Sequence, residues 1–329
     1  MFNIVQRRRW FFLFSGIIII AGLISMGISI ATYPEHSPLR LSIDFLGGSL
    51  FEVSFTPIDS TKSVTAIDET QITTAFTQFN TQDVRVQQLG KPEDYHWQIR
   101  SGYIDDTANA KIKDALNATA KSLNLTINVD ALHVTQVSPT IGSEVTKAAL
   151  IAVLVASILV LGWIVFAFRQ VTNAFRYGAC AVLAMIHDVL VMTGIMSIMG
   201  LIFKWEADAL FLTALLTVVG YSVQDTIVVF DRIRENAARH RGEPYEMIIN
   251  RSILETLQRS ISMQLVVAFV MLSLLLVGGE SVRQFVAILL IGLLSGTYSS
   301  TFTAIPLLVA WDKGQLPLVR RLDPSVKTA

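Results

Sequence analysis

The sequence ALFLTALLTVVGYSVQDTIVVFDRIREN, residues 209–236, decides the fold. It is uncharged from Ala209 to Gln224, continues past Asp225 as an apolar run to Phe230, and then becomes strongly charged. A helix needs about 20 predominantly apolar residues to cross the hydrocarbon core of a bilayer. The stretch therefore predicts a membrane-spanning helix that carries one carboxylate inside its apolar zone.

Five other apolar runs of similar length predict five more spans. Of the 329 residues, 52% are hydrophobic and 16% are charged, against roughly 25% charged in an average soluble domain. The further runs are 10–33, 148–168, 177–203, 260–279 and 284–311. The first run exceeds the apolar region of a signal peptide and lacks an Ala-x-Ala site, so we expect a retained anchor. The predicted class is a polytopic α-helical membrane protein with six spans.

Overall charge and cysteine content narrow the possible functions. The 26 basic and 26 acidic residues balance to zero, so nothing indicates a nucleic-acid partner. Cys180 is the only cysteine, which excludes an intrachain disulfide.

The positions of the basic residues predict the topology. Arginine and lysine concentrate before the first span, at Arg169 and Arg176, between residues 232 and 251, and after the last span. Short basic loops remain in the cytoplasm, so both termini are predicted to be cytoplasmic. The predicted divisions are a cytoplasmic N-terminus 1–9, a first span 10–32, an external domain 33–146, spans two to six within 147–311, and a cytoplasmic tail 312–329. The cytoplasmic stretch 231–258 is amphipathic, and we expect it to lie along the membrane surface.

The external segment predicts a small α+β domain. Alternating strands and two helices with an apolar face give the order βαββαβ, which is typical of a ferredoxin-like split βαβ fold. The strands are predicted at 49–56, 84–89, 96–101 and 133–137, the helices at 68–79 and 107–123, and the turn between the central strands at 90–94. Metal-ligand spacings, a glycine-rich phosphate loop and a nucleophile elbow are all missing from the sequence of this external segment. We therefore expect no enzymatic chemistry there.

Asp225 is the strongest candidate functional residue. An ionisable residue inside a span costs at least ~2.5–3.5 kcal/mol on insertion scales. Thr213, Thr217 and Tyr221 precede Asp225 at four-residue steps, which predicts a slowly winding polar stripe that could hold water. Arg259 opens the fifth span and could pair with Asp225, or it could extend its head group to the interface. The alternative for Asp225 itself is a carboxylate that only pins helices together.

Other polar and small residues in the spans have two interpretations. His187 and Asp188 are adjacent in the third span, and with Tyr221 and Gln224 they either take part in a relay or serve helix packing. Gly292 and Gly296 form a Gly-x-x-x-Gly pattern, which predicts close packing of the last span against a neighbouring helix.

Several motifs, in order along the chain, resemble the SecF family of accessory membrane subunits of bacterial Sec protein export. They are DFLGG at 44–48, PTIGSE at 139–144, HDV at 187–189, GYSVQDT at 220–226, FDRIREN at 230–236, the segment 250–259 and GTYSS at 296–300. The resemblance implies one half of a transporter of the resistance–nodulation–division architecture, located in the bacterial inner membrane. Its implied partners are SecD, the SecYEG channel, YajC, exported unfolded polypeptides and the lipid bilayer.

The resemblance also implies roles for individual residues. The family's proton-relay aspartate falls on Asp225 and its functional arginine on Arg259. The implied energy source is the proton gradient without a cofactor, and the implied role is transport, not enzymatic catalysis. Two positions depart from the family pattern: Gln224 stands where asparagine is usual, and Ser138 stands where glycine is usual.

Three other functions remain open at this level. A proton-coupled exporter of lipids or small molecules would use the same architecture. An intramembrane aspartyl protease would use Asp188 and Asp225 as a pair, although neither follows the Gly-x-Gly-Asp pattern. A purely structural stabiliser of an export channel would tolerate the loss of the Asp225 charge.

Overall fold

The computed structural model describes residues 4–58, 67–79, 84–89, 95–128, 132–169 and 174–315, and it divides the chain into two units. One unit comprises Met1–Arg40 with Leu150–Ala329, and the other comprises Leu41–Ala149. The predicted turn 90–94 and the end of the predicted tail, from residue 316, lie outside the described residues.

The described helices and strands follow the predicted order closely. The helices are α1 (Arg8–Thr32), α2 (Ile43–Leu46), α3 (Glu69–Thr77), α4 (Asp106–Ser122), α5 (Pro139–Ala167), α6 (Ala174–Phe203), α7 (Ala209–Arg239), α8 (Tyr245–Val277), α9 (Glu280–Ser299) and α10 (Ile305–Asp312). The strands are β1 (Gly48–Pro57), β2 (Arg85–Leu89), β3 (His96–Ser101), β4 (Leu125–Ile127) and β5 (His133–Val137). A π-helical turn, Ser300–Ala304, joins α9 to α10.

Six helical segments in the described part of the chain are long and apolar enough to cross a membrane. They are Val5–Thr32, Pro139–Ala167, Ala174–Phe203, Ala209–Arg239, Tyr245–Val277 and Val282–Asp312. The prediction of a polytopic helical membrane protein is confirmed.

Small residues bring α1 and α6 into backbone contact. A Cβ atom added to Gly22 would lie 2.8 Å from the Gly194 Cα atom, so only glycine fits this crossing. Nearby, Ser197 Oγ lies 2.9 Å from the hydroxyls of both Ser25 and Ser29. Close approach through small residues, with hydroxyls bonded across the interface, is the usual way in which helices associate inside a membrane.

The stretch 231–258 is a helical hairpin. α7 continues to Arg239, the chain turns at Gly242, and α8 runs unbroken from Tyr245 to Val277. The amphipathic segment is therefore the extension of two spans and does not form a separate helix. Asn236 stabilises the hairpin, because its Nδ2 group donates to Ser252 Oγ at 3.0 Å and to Glu255 Oε2 at 2.8 Å.

The unit Leu41–Ala149 contains one antiparallel sheet in the strand order β2-β3-β1-β4, with β5 also paired to β1. This is the order of the predicted ferredoxin-like fold. The fourth strand of that fold is divided in two, because β4 pairs with Phe55–Pro57 and β5 with Gly48–Glu52 along the same edge of β1. The sequence prediction found β5 and missed the three-residue β4. α3 and α4 cover one face of the sheet, where Phe51, Phe76 and Leu116 are fully buried.

The motifs at the two ends of this unit pack against each other. Gly47 has φ +76°, and a Cβ atom there would lie 2.6 Å from the Pro139 Cα atom. Thr146 Oγ1 donates to the Phe45 carbonyl at 3.3 Å. Ser138 precedes α5, and its Oγ atom accepts a hydrogen bond from the Ile141 amide at 3.4 Å, as an N-cap does. The serine that departs from the family pattern therefore has a local role at the start of α5.

Candidate functional site

Asp225 lies buried on α7, with a relative exposure of 8%, and it faces α8. Its Oδ1 atom accepts a hydrogen bond from Ser260 Oγ at 3.0 Å, and its Oδ2 atom accepts one from Gln264 Nε2 at 3.3 Å. Ser260 and Gln264 are one turn apart on α8, so together they hold both carboxylate oxygens. The Gln264 Oε1 atom is buried and receives no hydrogen bond from any described residue.

The predicted polar stripe does not line this site. Thr213 and Tyr221 are exposed, and the hydroxyls of Thr213 and Thr217 donate to carbonyls of their own helix at 3.0 and 2.7 Å. Four residues advance an α-helix by about 400°, so three such steps turn the stripe about 120° away from its starting face. Asp225 therefore points into the bundle, whereas Thr213 points out of it. Gln224 is also on the exposed side.

Arg259 precedes Ser260 on α8 and is exposed. Within the described ranges, no ion pair joins its guanidinium to the Asp225 carboxylate, whose partners are the two neutral side chains. Adjacent helical residues point about 100° apart, so the Arg259 side chain leaves α8 in a different direction from that of Ser260. The role of Arg259 stays a prediction.

Asp188 forms a second polar centre and is completely buried on α6. Its Oδ2 atom accepts hydrogen bonds from Ser222 Oγ and Ser299 Oγ, both at 2.6 Å. Its Oδ1 atom accepts one from Ser295 Oγ at 3.0 Å and lies 3.2 Å from His187 Nδ1. Both oxygens are thus fully occupied, and the carboxylate joins α6 to α7 through one serine and to α9 through two.

The two centres hold their aspartates separately. Asp188 bonds to α7 and α9, whereas Asp225 bonds to α8, and each carboxylate has its own donors. An aspartyl dyad needs two carboxylates that share a proton. The described hydrogen bonds therefore give no support to a protease that uses Asp188 and Asp225 as a pair.

Gly292 and Gly296 lie on the face of α9 that packs against α7. A Cβ atom on Gly292 would come within 2.5 Å of Val218 Cγ2, and one on Gly296 would lie 3.1 Å from Ser222 Cβ. The close approach that these glycines permit brings Ser295 and Ser299 within reach of Asp188. The π-helical turn starts directly after Ser299, and such turns occur often at functional sites.

The neutral partners of both aspartates were not predicted from the sequence. Ser295 and Ser299 are four residues apart and so share a face with each other, as do Ser260 and Gln264. These two spacings are the signal from which the partners could have been found. Across the residues that the structure describes, no cluster of three or more His, Cys, Asp or Glu side chains could hold a metal ion.

Comparisons with known proteins agree with this architecture. A family profile described as "Protein export membrane protein SecD/SecF, C-terminal" matches residues 116–314. The chain is 46% identical to protein translocase subunit SecF of Anaerolinea thermophila over 96% of each sequence. It is 41% identical to protein translocase subunit SecF of Thermobaculum terrenum over 99% of each sequence.

Among solved structures, the chain is similar to SecDF from Thermus thermophilus, a translocon-associated membrane protein. The TM-score is 0.72 and the sequence identity is 27%. The match covers 94% of this chain and 38% of the SecDF chain, so the present chain spans well under half the length of that protein.

Proposed function

Because the chain belongs to the SecD/SecF family of protein export membrane proteins, and within that family to the SecF subunits, we propose that it couples a proton gradient to polypeptide export. In this proposal a proton passes through Asp225 on its way from the outside to the cytoplasm. The chain acts with a SecD-type partner next to the SecYEG channel and YajC, in the bacterial inner membrane. Its termini are cytoplasmic, and the unit Leu41–Ala149 is extracytoplasmic.

The observation that carries the proposal is the environment of Asp225. The carboxylate is buried within a span and is held by Ser260 and Gln264, which are both neutral. A buried charge without a paired countercharge is costly, and a proton on the carboxylate removes that cost. When the proton leaves, the carboxylate depends on its two neutral donors again, so its contacts with α8 differ in strength between the two states.

The long helices provide a route from this contact to the rest of the protein. α8 is a single helix of 33 residues, so it extends about 50 Å at 1.5 Å per residue. Ser260 and Gln264 lie near its middle. A change in how they bind Asp225 therefore tilts or shifts a rigid rod, and the hairpin at Asn236 and Glu255 moves with it.

The energies favour a ratchet. One proton releases about 2.3 kcal/mol per 100 mV and about 1.4 kcal/mol per pH unit. Ordering the backbone of one residue costs roughly 1–2 kcal/mol. A single proton therefore cannot pull a long unfolded segment, but it can drive a step that prevents the segment from sliding back. We propose that the chain is a transport subunit without a cofactor and without an enzymatic reaction of its own.

The decisive experiment measures proton flux into vesicles that contain this protein, its SecD-type partner and an unfolded polypeptide under an imposed pH gradient. Asp225→Asn keeps the shape of the side chain and removes the proton-binding group. Asp231→Asn is the matched control. Asp231 is an exposed aspartate towards the C-terminal end of the same helix, and its carboxylate pairs with Arg234. We expect polypeptide-dependent flux in the parent and the control, and its loss in Asp225→Asn. Normal flux in Asp225→Asn would exclude the relay and favour a structural subunit.

A further inference from the structure

His187 occupies an unusual position among the polar groups of the membrane interior. It has a relative exposure of 6%, and its Nε2 atom is buried without a hydrogen-bond partner among the described residues. Its Nδ1 atom lies 3.2 Å from Asp188 Oδ1. A carboxylate oxygen only accepts hydrogen bonds, so Nδ1 carries a hydrogen and donates it to Asp188. The Nε2 lone pair of the neutral ring is then free.

The surroundings of Asp188 offer hydrogen-bond donors to both of its carboxylate oxygens. Three serine hydroxyls and the His187 ring supply four donors, which matches the four lone-pair positions of a carboxylate. Hydrogen bonds to the charged form stabilise that form. In this arrangement the Asp188 oxygens therefore have no free position for a further proton, and the carboxylate lies directly beside the His187 ring.

We propose that His187 is a second proton-binding site in the membrane interior, distinct from Asp225, which takes a proton at Nε2 while Asp188 neutralises the resulting imidazolium. The step is a simple protonation: a proton arrives from water, binds the Nε2 lone pair, and leaves by the same atom. No bond other than N–H forms or breaks. The histidine is the group that changes charge, and Asp188 and its three serines fix the ring and its tautomer.

The other charged and titratable groups near His187 are bonded elsewhere or face other helices. Tyr298 of α9 stacks on its ring with centroids 6.3 Å apart, and its hydroxyl donates to the Phe11 carbonyl of α1. α1 has no charged residue from Trp10 to Thr32. On α7, Asp225 faces α8.

The remaining charged group on the same helix is distant. Arg176 lies about 16 Å away along α6 at 1.5 Å per residue. It pairs there with Asp312 of α10 at 3.4 Å. Asp188 is therefore the charge in direct contact with the ring.

Protonation of His187 would change the packing of α9. The neutral ring beside Tyr298 becomes a cation, and the same proton offsets the negative charge of the carboxylate that Ser295 and Ser299 bind. The π-helical turn that follows Ser299 is the irregular part of this helix. The site is thus placed to link a proton to the position of α9, and this inference does not require that Asp225 carries a proton.

Nitrogen-15 NMR of the full chain in lipid nanodiscs, with histidine labelled, tests the proposal. The chain has five histidines, and the His187 signals are assigned by their loss in His187→Gln. We expect the Nδ1–H tautomer with an unprotonated Nε2 atom at about pH 8, and a second ring proton on Nε2 after acidification to about pH 5. An Nε2–H tautomer, or an Nε2 atom that stays unprotonated over this range, would overturn the proposal.

A second variant distinguishes the effect of the Asp188 charge from a general loss of the fold. Asp188→Asn retains an acceptor for Nδ1 but removes the negative charge, so we expect the doubly protonated fraction of His187 at about pH 5 to fall several-fold. The signals of His240, whose Nδ1 atom lies 3.2 Å from the Asn236 carbonyl, should not change and serve as the internal reference. An unchanged protonation of His187 in Asp188→Asn would contradict the assigned role of the carboxylate. If that variant does not fold, the tautomer and titration of the parent decide the question alone.

Discussion

Ser222 and Asp225 are one turn apart on α7 and connect that helix to different neighbours. Ser222 donates to Asp188 of α6 at 2.6 Å, whereas Asp225 accepts from Ser260 of α8 at 3.0 Å. Thr226 closes the turn between them by donating to the Ser222 carbonyl at 2.9 Å. α7 is therefore the element shared by both polar centres, so a rotation or shift of α7 at one centre alters the hydrogen bonds at the other.

Removing the neutral donors of Asp225 should weaken proton flux without abolishing it. In Gln264→Leu and in Ser260→Ala the carboxylate loses one of its two hydrogen bonds, and a bond to a charged group contributes about 1.5–3 kcal/mol. We therefore expect flux in the reconstituted vesicles to fall by roughly tenfold or more for each variant.

Ser273→Ala is the control for these two changes. Ser273 is an exposed serine on the same helix, and its hydroxyl donates only to the Phe269 carbonyl at 2.9 Å. Its flux should equal that of the parent. If Ser260→Ala and Gln264→Leu behave like Ser273→Ala, the contacts across α7 and α8 have no part in proton passage.

The crossing of α1 and α6 should not tolerate a methyl group. Gly22→Ala places a Cβ atom 2.8 Å from the Gly194 backbone, where no flexible side chain can move aside. Overpacking of this kind typically costs about 1–3 kcal/mol. Gly27→Ala lies on the same helix with nothing within 4 Å, so it should be neutral or slightly stabilising. Thermal unfolding of the two variants in detergent distinguishes the effects, and equal transition temperatures would contradict the observed crossing.

The features that sequence alone predicted were those with a long or regular pattern. Runs of about 20 apolar residues and strands with two-residue alternation produce signals that survive without tertiary information. β4 is only three residues long, from Leu125 to Ile127, which is too short for an alternation to be recognised. The polar residues before Ser260 predict a surface segment followed by a span. The structure instead has one continuous helix, α8, because polar residues do not by themselves end a helix.

The candidate site was predictable in its carboxylates and unpredictable in their partners. Asp188 and Asp225 stand out because charge is rare inside a span. Ser222, Ser260 and Gln264 do not stand out, because a small polar side chain can bond to its own helix anywhere in a span. Which of them meets a carboxylate depends on the rotation of each helix about its axis, and that rotation is set by contacts such as the one between Gly292 and Val218.

The N-terminus of α4 should weaken in acid. Asp105 caps α4 by accepting a hydrogen bond from the Ala108 amide at 2.7 Å, and this bond holds the pKa of the Asp105 carboxyl below its ordinary value of 3.8. A depressed folded-state pKa contributes stability that is present above the ordinary value and is lost as the pH falls through the folded-state value. Hydrogen exchange of the first-turn amides of α4 should therefore show reduced protection only in that acidic range, after correction for the intrinsic rates.

Asp105→Asn provides the comparison for this acid effect. Asparagine is an equally good N-cap, but it does not titrate. The variant should keep the protection of α4 at neutral pH and lose the acid dependence. An acid dependence that persists in Asp105→Asn would assign it to another group.

Gly47→Ala should destabilise the start of β1 by more than the strain of its backbone conformation alone. Gly47 has φ +76° and ψ 168°, a region that is almost restricted to glycine, and a Cβ atom there would lie 2.6 Å from the Pro139 Cα atom at the start of α5. Gly242→Ala is the matched variant, because Gly242 has φ +98° and nothing within 4 Å, so it carries the backbone strain without the contact. Hydrogen exchange followed by mass spectrometry should show faster exchange in β1 and in the first turns of α5 for Gly47→Ala, whereas Gly242→Ala should affect only the turn between α7 and α8. Equal and purely local effects in the two variants would mean that the packing of Gly47 against Pro139 does not stabilise the junction, and that its glycine is required for the backbone angle alone.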